Sequence, residues 1–227
     1  GHRIAANDNG DILAISSVAP GNAGKVEIFV RTSQSNDDSV QHSFTHTQTI
    51  FGSLTTDSTL NTNFGEAISM SKDGTTLVIG APGFDDSSAA DSGAVYYYKF
   101  NADGSTNTFT LQQTITAPDK NTKARFGSVL DLNNSGNRLI IGAEGLASNR
   151  EMKFDSGETT FDLQDTVIMD QNTGSGGVYT ATMYDTKFVI DDRLMNDFVS
   201  ANDDFGRGVC AIDNMMLAGA PKDDGNI

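Results

Sequence analysis

One motif recurs along this chain, and no other feature restricts its fold so tightly. Residues 63–82 read NFGEAISMSKDGTTLVIGAP, and residues 125–145 read RFGSVLDLNNSGNRLIIGAEG. Both open on Phe-Gly, reach a second glycine nine residues later, and arrive at Gly-Ala six residues after that. A third copy, DFGRGVCAIDNMMLAGAP, has its leading glycine at Gly206, and a fourth starts at Gly1, nine residues before Gly10. Gly1, Gly65, Gly127 and Gly206 are spaced by 64, 62 and 79 residues. Repeat starts therefore fall near Gly1, Phe64, Phe126 and Phe205 of one unit spanning 1–227.

Each copy continues alike. A glycine precedes a β-branched or aromatic run in GKVEIFV (24–30), GAVYYYKF (93–100) and GGVYTATMY (176–184). A further alternating segment follows in FTHTQTIF (44–51), FTLQQTITA (109–117) and TKFVIDDRL (186–194). Four short segments per period, bounded by turn formers, read as strands, and no segment sustains the apolar helical period of about 3.6 residues. The fold class expected is all-β: a β-propeller of four-stranded antiparallel blades, with about three and a half blades present. Gly74 and Gly136 follow Asp73 and Ser135 in hairpin turns that favour positive φ. Gly80, Gly142 and Gly219 end a strand where a neighbouring backbone is expected to come close. Phe64, Phe126 and Phe205 are expected to wedge between adjacent blades.

The pattern Phe-Gly…Gly-Ala-Pro…Gly-x-Val-Tyr resembles the FG-GAP repeat of the integrin α propeller. Phe64, Gly65, Gly80, Ala81, Pro82, Gly93, Val95 and Tyr96 carry it in full, while a second copy reads Gly142-Ala143-Glu144 and the first retains only Ser16-Ser17. Repeats of that kind often bind Ca²⁺ through Asp-x-Asp-x-Asp-Gly-x-x-Asp, since the ion takes about 6–8 oxygen ligands. The loops here are shorter and poorer in acids, like the calcium-free subtype. The nearest approach is Asp131, Asn133, Ser135 and Gly136, with Leu139 in place of the final acid. Asp85, Asp86 and Asp91, after Gly-Ala-Pro, are weak metal candidates beside Asp131. Ca²⁺ is not favoured, and no cofactor is expected.

In this register the chain begins and stops inside blades, with Gly225 and Ile227 at the positions of Gly93 and Val95. The expectation is a piece of a larger propeller, preceded by a Phe. A dimer completing the circle is the lesser option.

The third copy departs from the rest. Gly65 to Gly93 is 28 residues but Gly127 to Gly176 is 49, an insertion over about 146–175. Within it Phe154, Phe161 and Ile168 recur every seven residues, with Asp155 and Asp162 directly after the aromatics. Long loops on a rigid scaffold commonly carry binding. Phe154, Asp155, Phe161, Asp162 and Met169 are therefore candidate contacts, with Phe84, Asp85 and Asp86 of the acidic loop. Packing within the particle is the equal alternative.

Fifteen basic residues against thirty acidic ones give a net charge of −15, which repels phosphate backbones and anionic lipid. Nucleic-acid binding and membrane insertion are not expected, and no run approaches the roughly 20 apolar residues of a spanning helix. The single cysteine, Cys210, reads as a small buried hydrophobe. His42 and His46 lack a third ligand and read as surface polar groups. No nucleophile elbow, zinc-protease motif or phosphate loop occurs, so no catalytic residue is assigned. The expected function is a non-enzymatic propeller that binds other proteins, within a larger assembly or at a host-surface receptor. The insertion is similar to those in FG-GAP-repeat virion proteins of marine bacteriophages, which implies a tail, fibre or decoration protein. A secreted or cell-surface adhesin is the alternative, and a glycan-acting enzyme the lesser one.

Overall fold

The computed structural model describes residues 1–18, 23–32, 43–52, 61–101, 107–119, 121–146, 176–194 and 204–222. Strands account for all of its regular structure. β1 (Ile4–Ala6), β2 (Ile12–Ser17), β3 (Lys25–Arg31) and β4 (Phe44–Phe51) form the first sheet, in that order. The second holds β5 (Ile68–Met70), β6 (Thr76–Ala81), β7 (Ala94–Asn101) and β8 (Thr108–Ile115). The third holds β9 (Phe126–Leu132), β10 (Arg138–Ala143), β11 (Gly177–Tyr184) and β12 (Lys187–Leu194). β13 (Gly208–Ile212) and β14 (Met215–Gly219) make a two-stranded fourth. Every strand pairing within the four sheets is antiparallel, and the described residues form three full propeller blades and a partial one.

The innermost strands pack in sequence, β1 on β5, β5 on β9 and β9 on β13, while β4 meets β8 and β8 meets β12 at the rim. Side-chain alternation fills the gaps between the sheets. Leu77 and Ile79 of β6 point into a core shared with Val26, Ile28 and Ile50 of the first blade. Val78, from the same strand, points the other way, into a core with Phe126, Ile141 and Tyr179 of the third. All six residues of β6 are buried, because a middle blade is covered on both faces. Ile140 and Val178 start the next core with Ala211.

The wedge is built as expected at two of three positions. Phe64 and Phe126 are buried, each edge-to-face on the tyrosine of its own blade: Phe64 on Tyr96 at 5.4 Å, Phe126 on Tyr179 at 5.1 Å. Phe205 is only half-buried, packed against the smaller core of Ile140, Val178 and Ala211. The same limited cover leaves Cys210 half-buried rather than buried.

Glycine is obligatory where blades touch by backbone. A Cβ on Gly80 would lie 2.0 Å from the Gly127 carbonyl oxygen, and one on Gly142 would lie 2.1 Å from that of Gly206. At Gly219 the nearest atom among the described residues to an added Cβ is the Gly208 oxygen, at 3.9 Å. The hairpin glycines Gly10, Gly74 and Gly136 do adopt positive φ, at 65°, 74° and 68°.

A further device recurs at the rim. Each β3–β4-type pair carries one bulged residue (Thr47, Gln112 and Asp191), which shifts the register at the same level of all three blades. In two blades a glutamine follows the bulge and grips the next blade's outer strand. The Gln48 amide donates to the Phe109 carbonyl at 2.9 Å and accepts from the Phe109 N–H at 2.7 Å. Gln113 does the same to Phe188, at 2.9 and 2.8 Å. A primary amide, donor and acceptor at once, matches the paired groups of an exposed strand edge.

Gly80→Ala should lower stability by about 3 kcal/mol, since its Cβ can be admitted only by separating two blades. A urea midpoint equal to that of the parent chain would contradict the close approach.

Candidate functional site

The acidic loop joins β6 to β7. Gly83 donates to the Thr62 carbonyl at 2.9 Å, which ties the loop's start to the chain entering the blade. Phe84 is half-buried, its ring 6.5 Å from that of Tyr96 at a near-perpendicular angle. Asp86 and Ala89 exchange two backbone hydrogen bonds of 3.0 Å, closing a small turn. The Asp91 N–H donates to the Asp85 carboxylate at 2.7 Å, and the Asp86 carboxylate accepts from the Ser88 hydroxyl at 3.1 Å. Asp91 sits at φ 50°, and its carbonyl accepts the Arg125 N–H of the next blade at 3.0 Å. Asp85, Asp86 and Asp91 thus share one compact loop with Phe84, and the loop is anchored to both neighbouring segments. Among the described residues no three His, Cys, Asp or Glu side chains are set to hold a metal ion.

Asp131 is placed elsewhere, on innermost strand β9, and its oxygens join three blades. One accepts the Ser69 hydroxyl at 2.8 Å and the Leu132 N–H at 3.0 Å, and the other accepts the Ala211 N–H at 3.0 Å. Ser69 belongs to the second blade and Ala211 to the fourth. Asn133 is equally committed: its side-chain oxygen accepts the N–H groups of Asn137 and Arg138, both at 3.0 Å. Asn7 and Ser71 brace their hairpins from the same repeat position. Successive turns then bond to one another, Asp8 N–H to Lys72 O at 2.9 Å and Lys72 N–H to Asn134 O at 3.0 Å. The shortened loops are thereby structural turns linked in series around one end of the propeller.

Asp73, in the second turn, is held below its ordinary value. Burial opposes this shift, but hydrogen bonds from the Ser71 hydroxyl and from the Thr75 N–H and hydroxyl outweigh it. Asp204, leading into the fourth blade, is lowered likewise: burial opposes, and Lys222 and Arg207 prevail.

A polar cluster that the sequence did not suggest lies in the interior. Asp119, on the segment joining the second and third blades, is fully buried. It accepts the Tyr179 hydroxyl on one oxygen and the Arg193 guanidinium on the other, and the Arg193 side chain is 3% exposed. Burial, and then the Asp119 charge, push the Tyr179 hydroxyl well above the usual phenol range, so it remains a donor. A buried carboxylate is tolerable only with such partners. Tyr179 lies in the run GGVYTATMY read as a strand, but nothing local marked a partner 60 residues away.

Phe154, Asp155, Phe161, Asp162 and Met169 lie outside the described residues, as does His42. Leu146, where the insertion starts, is fully buried in the core between the second and third blades. His46 is exposed, 5.3 Å from the Phe29 ring and 3.1 Å from the Thr49 hydroxyl.

The fold is that of a β-propeller of four-stranded blades, and its second copy carries the repeat most fully. Residues 54–98, the second copy with its Phe-Gly, Gly-Ala-Pro and Gly-x-Val-Tyr elements, match the FG-GAP repeat family. No curated protein matches the chain. A hypothetical selenium-binding protein from Sulfolobus tokodaii superimposes over 83% of the chain at 9% identity, with a TM-score of 0.45; the chain spans 39% of that protein's length. A provisionally named 6-phosphogluconolactonase from Bacteroides uniformis does so over 96% of the chain and 77% of its own, at 8% identity and a TM-score of 0.36. Neither likeness bears on function.

Asp119→Ala, which strands Arg193 as a buried unpaired charge, should cost about 3–5 kcal/mol. Tyr179→Phe, which removes one bond to the carboxylate, should cost about 1–3 kcal/mol. Equal urea midpoints for the two variants would argue against the cluster. A pH series tests the turns. Asp73 and Asp204 titrate lower when folded than unfolded, so the unfolded chain takes up their protons first as pH falls. Their contribution is complete above about pH 4 and drains away as pH drops through the lower folded values. The double variant Asp73→Asn/Asp204→Asn should therefore lose stability less steeply below about pH 4 than the parent chain.

Proposed function

We propose that this chain is a non-catalytic scaffold and protein-binding propeller at an exterior surface, built into a bacteriophage virion as a tail, fibre or decoration component. The observation that carries the scaffold reading is how its acids are spent. Asp131 joins three blades and Asp119 neutralises a buried arginine, so these carboxylates hold sheets together. The FG-GAP match over 54–98 supports protein binding, the use to which such propellers are put. A net charge of −15 disfavours nucleic acid and anionic lipid as partners. No helix among the described residues is long and apolar enough to cross a membrane. The virion setting rests on the style of the insertion over about 146–175, with Phe154, Phe161 and Met169 as its proposed contact residues.

Co-sedimentation with intact particles through a density gradient, at a fixed copy number, is the expected result. Recovery on cell surfaces in place of particles would support an adhesin. Cleavage of host glycans, abolished by Asp85→Asn or Asp86→Asn, would replace the scaffold with a hydrolase.

A further inference from the structure

Three turns occupy the same repeat position, and one residue in each differs in its chemistry. They join β1 to β2, β5 to β6 and β9 to β10. Each holds a glycine at positive φ whose N–H donates back across the turn: Gly10 to the Asn7 carbonyl at 3.0 Å, Gly74 to Ser71 and Gly136 to Asn133, both at 2.9 Å. The residue before that glycine is Asn9, Asp73 or Ser135, and it is exposed in all three. The second and third turns have blades on both sides, so exposure belongs to the position itself.

Asn9-Gly10 is the one Asn-Gly step in the sequence. A glycine N–H, unshielded by a side chain, can reach the side-chain carbonyl carbon of the residue before it. The Gly10 nitrogen attacks Cγ of Asn9, its proton leaves with the amide nitrogen as ammonia, and a succinimide ring closes. Water then opens the ring at either carbonyl, which yields aspartate or isoaspartate. The equivalent turns show what prevents the reaction. Ser135 has no carbonyl to attack. Asp73 has one, but an ionised carboxylate is a poor acyl acceptor, and it is held by the Ser71 hydroxyl at 2.6 Å and by the Thr75 N–H and hydroxyl at 2.9 and 3.0 Å. In the first turn Asn7 and Asp11 stand at those two places. The Asn7 side-chain oxygen is taken by the Asp11 and Ile12 N–H groups at 2.8 and 3.0 Å, and the Asp11 carboxylate is paired with Arg31. Neither restrains the Asn9 amide.

We infer that Asn9 is a site of spontaneous deamidation, with water as its co-reactant and isoaspartate among its products. The attack requires the Gly10 N–H to leave the Asn7 carbonyl, so it proceeds from a locally opened turn. The product acts on the tie between the first two blades, because the Asp8 N–H donates to the Lys72 carbonyl at 2.9 Å. Isoaspartate lengthens the main chain one residue beyond Asp8, and either product adds a negative charge between Asp8 and Asp11. The inference rests on the turn alone and not on the protein-binding reading.

The test is to hold the full chain for weeks in mildly alkaline buffer at body temperature and digest aliquots with trypsin, whose cuts after Arg3 and Lys25 isolate the turn. Fragmentation spectra are expected to show amide-to-acid conversion at Asn9 ahead of Asn7 and Asn22 in the same peptide. An isoaspartyl methyltransferase should label that peptide in step with the conversion. Asn9→Ser, which installs the residue of the third turn, should abolish the label with the unfolding midpoint unchanged. In the converted chain the Asp8 amide should exchange with deuterium about fivefold faster, as loss of one hydrogen bond allows. Conversion that begins at Asn7 or Asn22, label on this peptide that survives Asn9→Ser, or an Asp8 amide unmoved by conversion overturns the inference. So does an intact Asn9 in the folded chain after the same chain in urea has converted.

Discussion

The approach of one blade's Phe-Gly carbonyl to the glycine that ends its neighbour's second strand sets the spacing of the second, third and fourth blades, while the first blade carries Ser16 at that position. At 2.0 and 2.1 Å from a hypothetical Cβ, the contacts at Gly80 and Gly142 permit no side chain. They fix how close adjacent sheets come at that level. Once that spacing is set, everything farther out must fill a gap of defined width. Phe126 and Tyr179 fill it near the contact, while Tyr97 and Phe188, 5.2 Å apart and edge-to-face, fill it toward the rim. One Phe–Tyr pair thus fills the gap at each of the two levels.

Polar groups then secure what the apolar wedge has positioned. Van der Waals packing tolerates sliding, whereas a hydrogen bond between blades fixes register. Three kinds of tie act at three places. Asp131 holds the innermost strands, the turn-to-turn bonds of Lys72 hold one end, and Gln48 and Gln113 hold the rim. The bulge before each glutamine belongs to the same device, because it re-aims the strand so that the side chain faces the neighbour instead of its own sheet. In the third blade the equivalent position is Asp192, which cannot donate and so cannot grip both groups of a strand edge.

What was legible in the sequence follows this division. Backbone constraints leave glycine behind, and alternation leaves a period of two, so strands such as FTHTQTIF could be located as β4 to the residue. The wedge aromatics were visible because they recur. Ties made by one polar atom to a distant backbone leave no such mark. Gln48 and Gln113 did share a local signature, Gln-Thr-Ile, which alignment of the copies contains but which carries no meaning until the neighbouring strand edge is in place. Asp119 was less legible still, since no other copy has Arg193 and Tyr179 with a carboxylate between them.

The metal question shows why the residue pattern alone misleads. Asp131, Asn133, Ser135 and Gly136 imitate the start of a cation-binding loop, yet a ligand must have a lone pair free and aimed at a common point. Asn133 directs its oxygen at two N–H groups of its own hairpin, and Asp131 directs its two oxygens at opposite neighbours. Convergence would require breaking the bonds between the second, third and fourth blades. The same chemistry that makes a carboxylate a good ligand makes it a good clamp for backbone N–H groups. In a loop this short, with its acid on the strand and not in the turn, the clamp prevails.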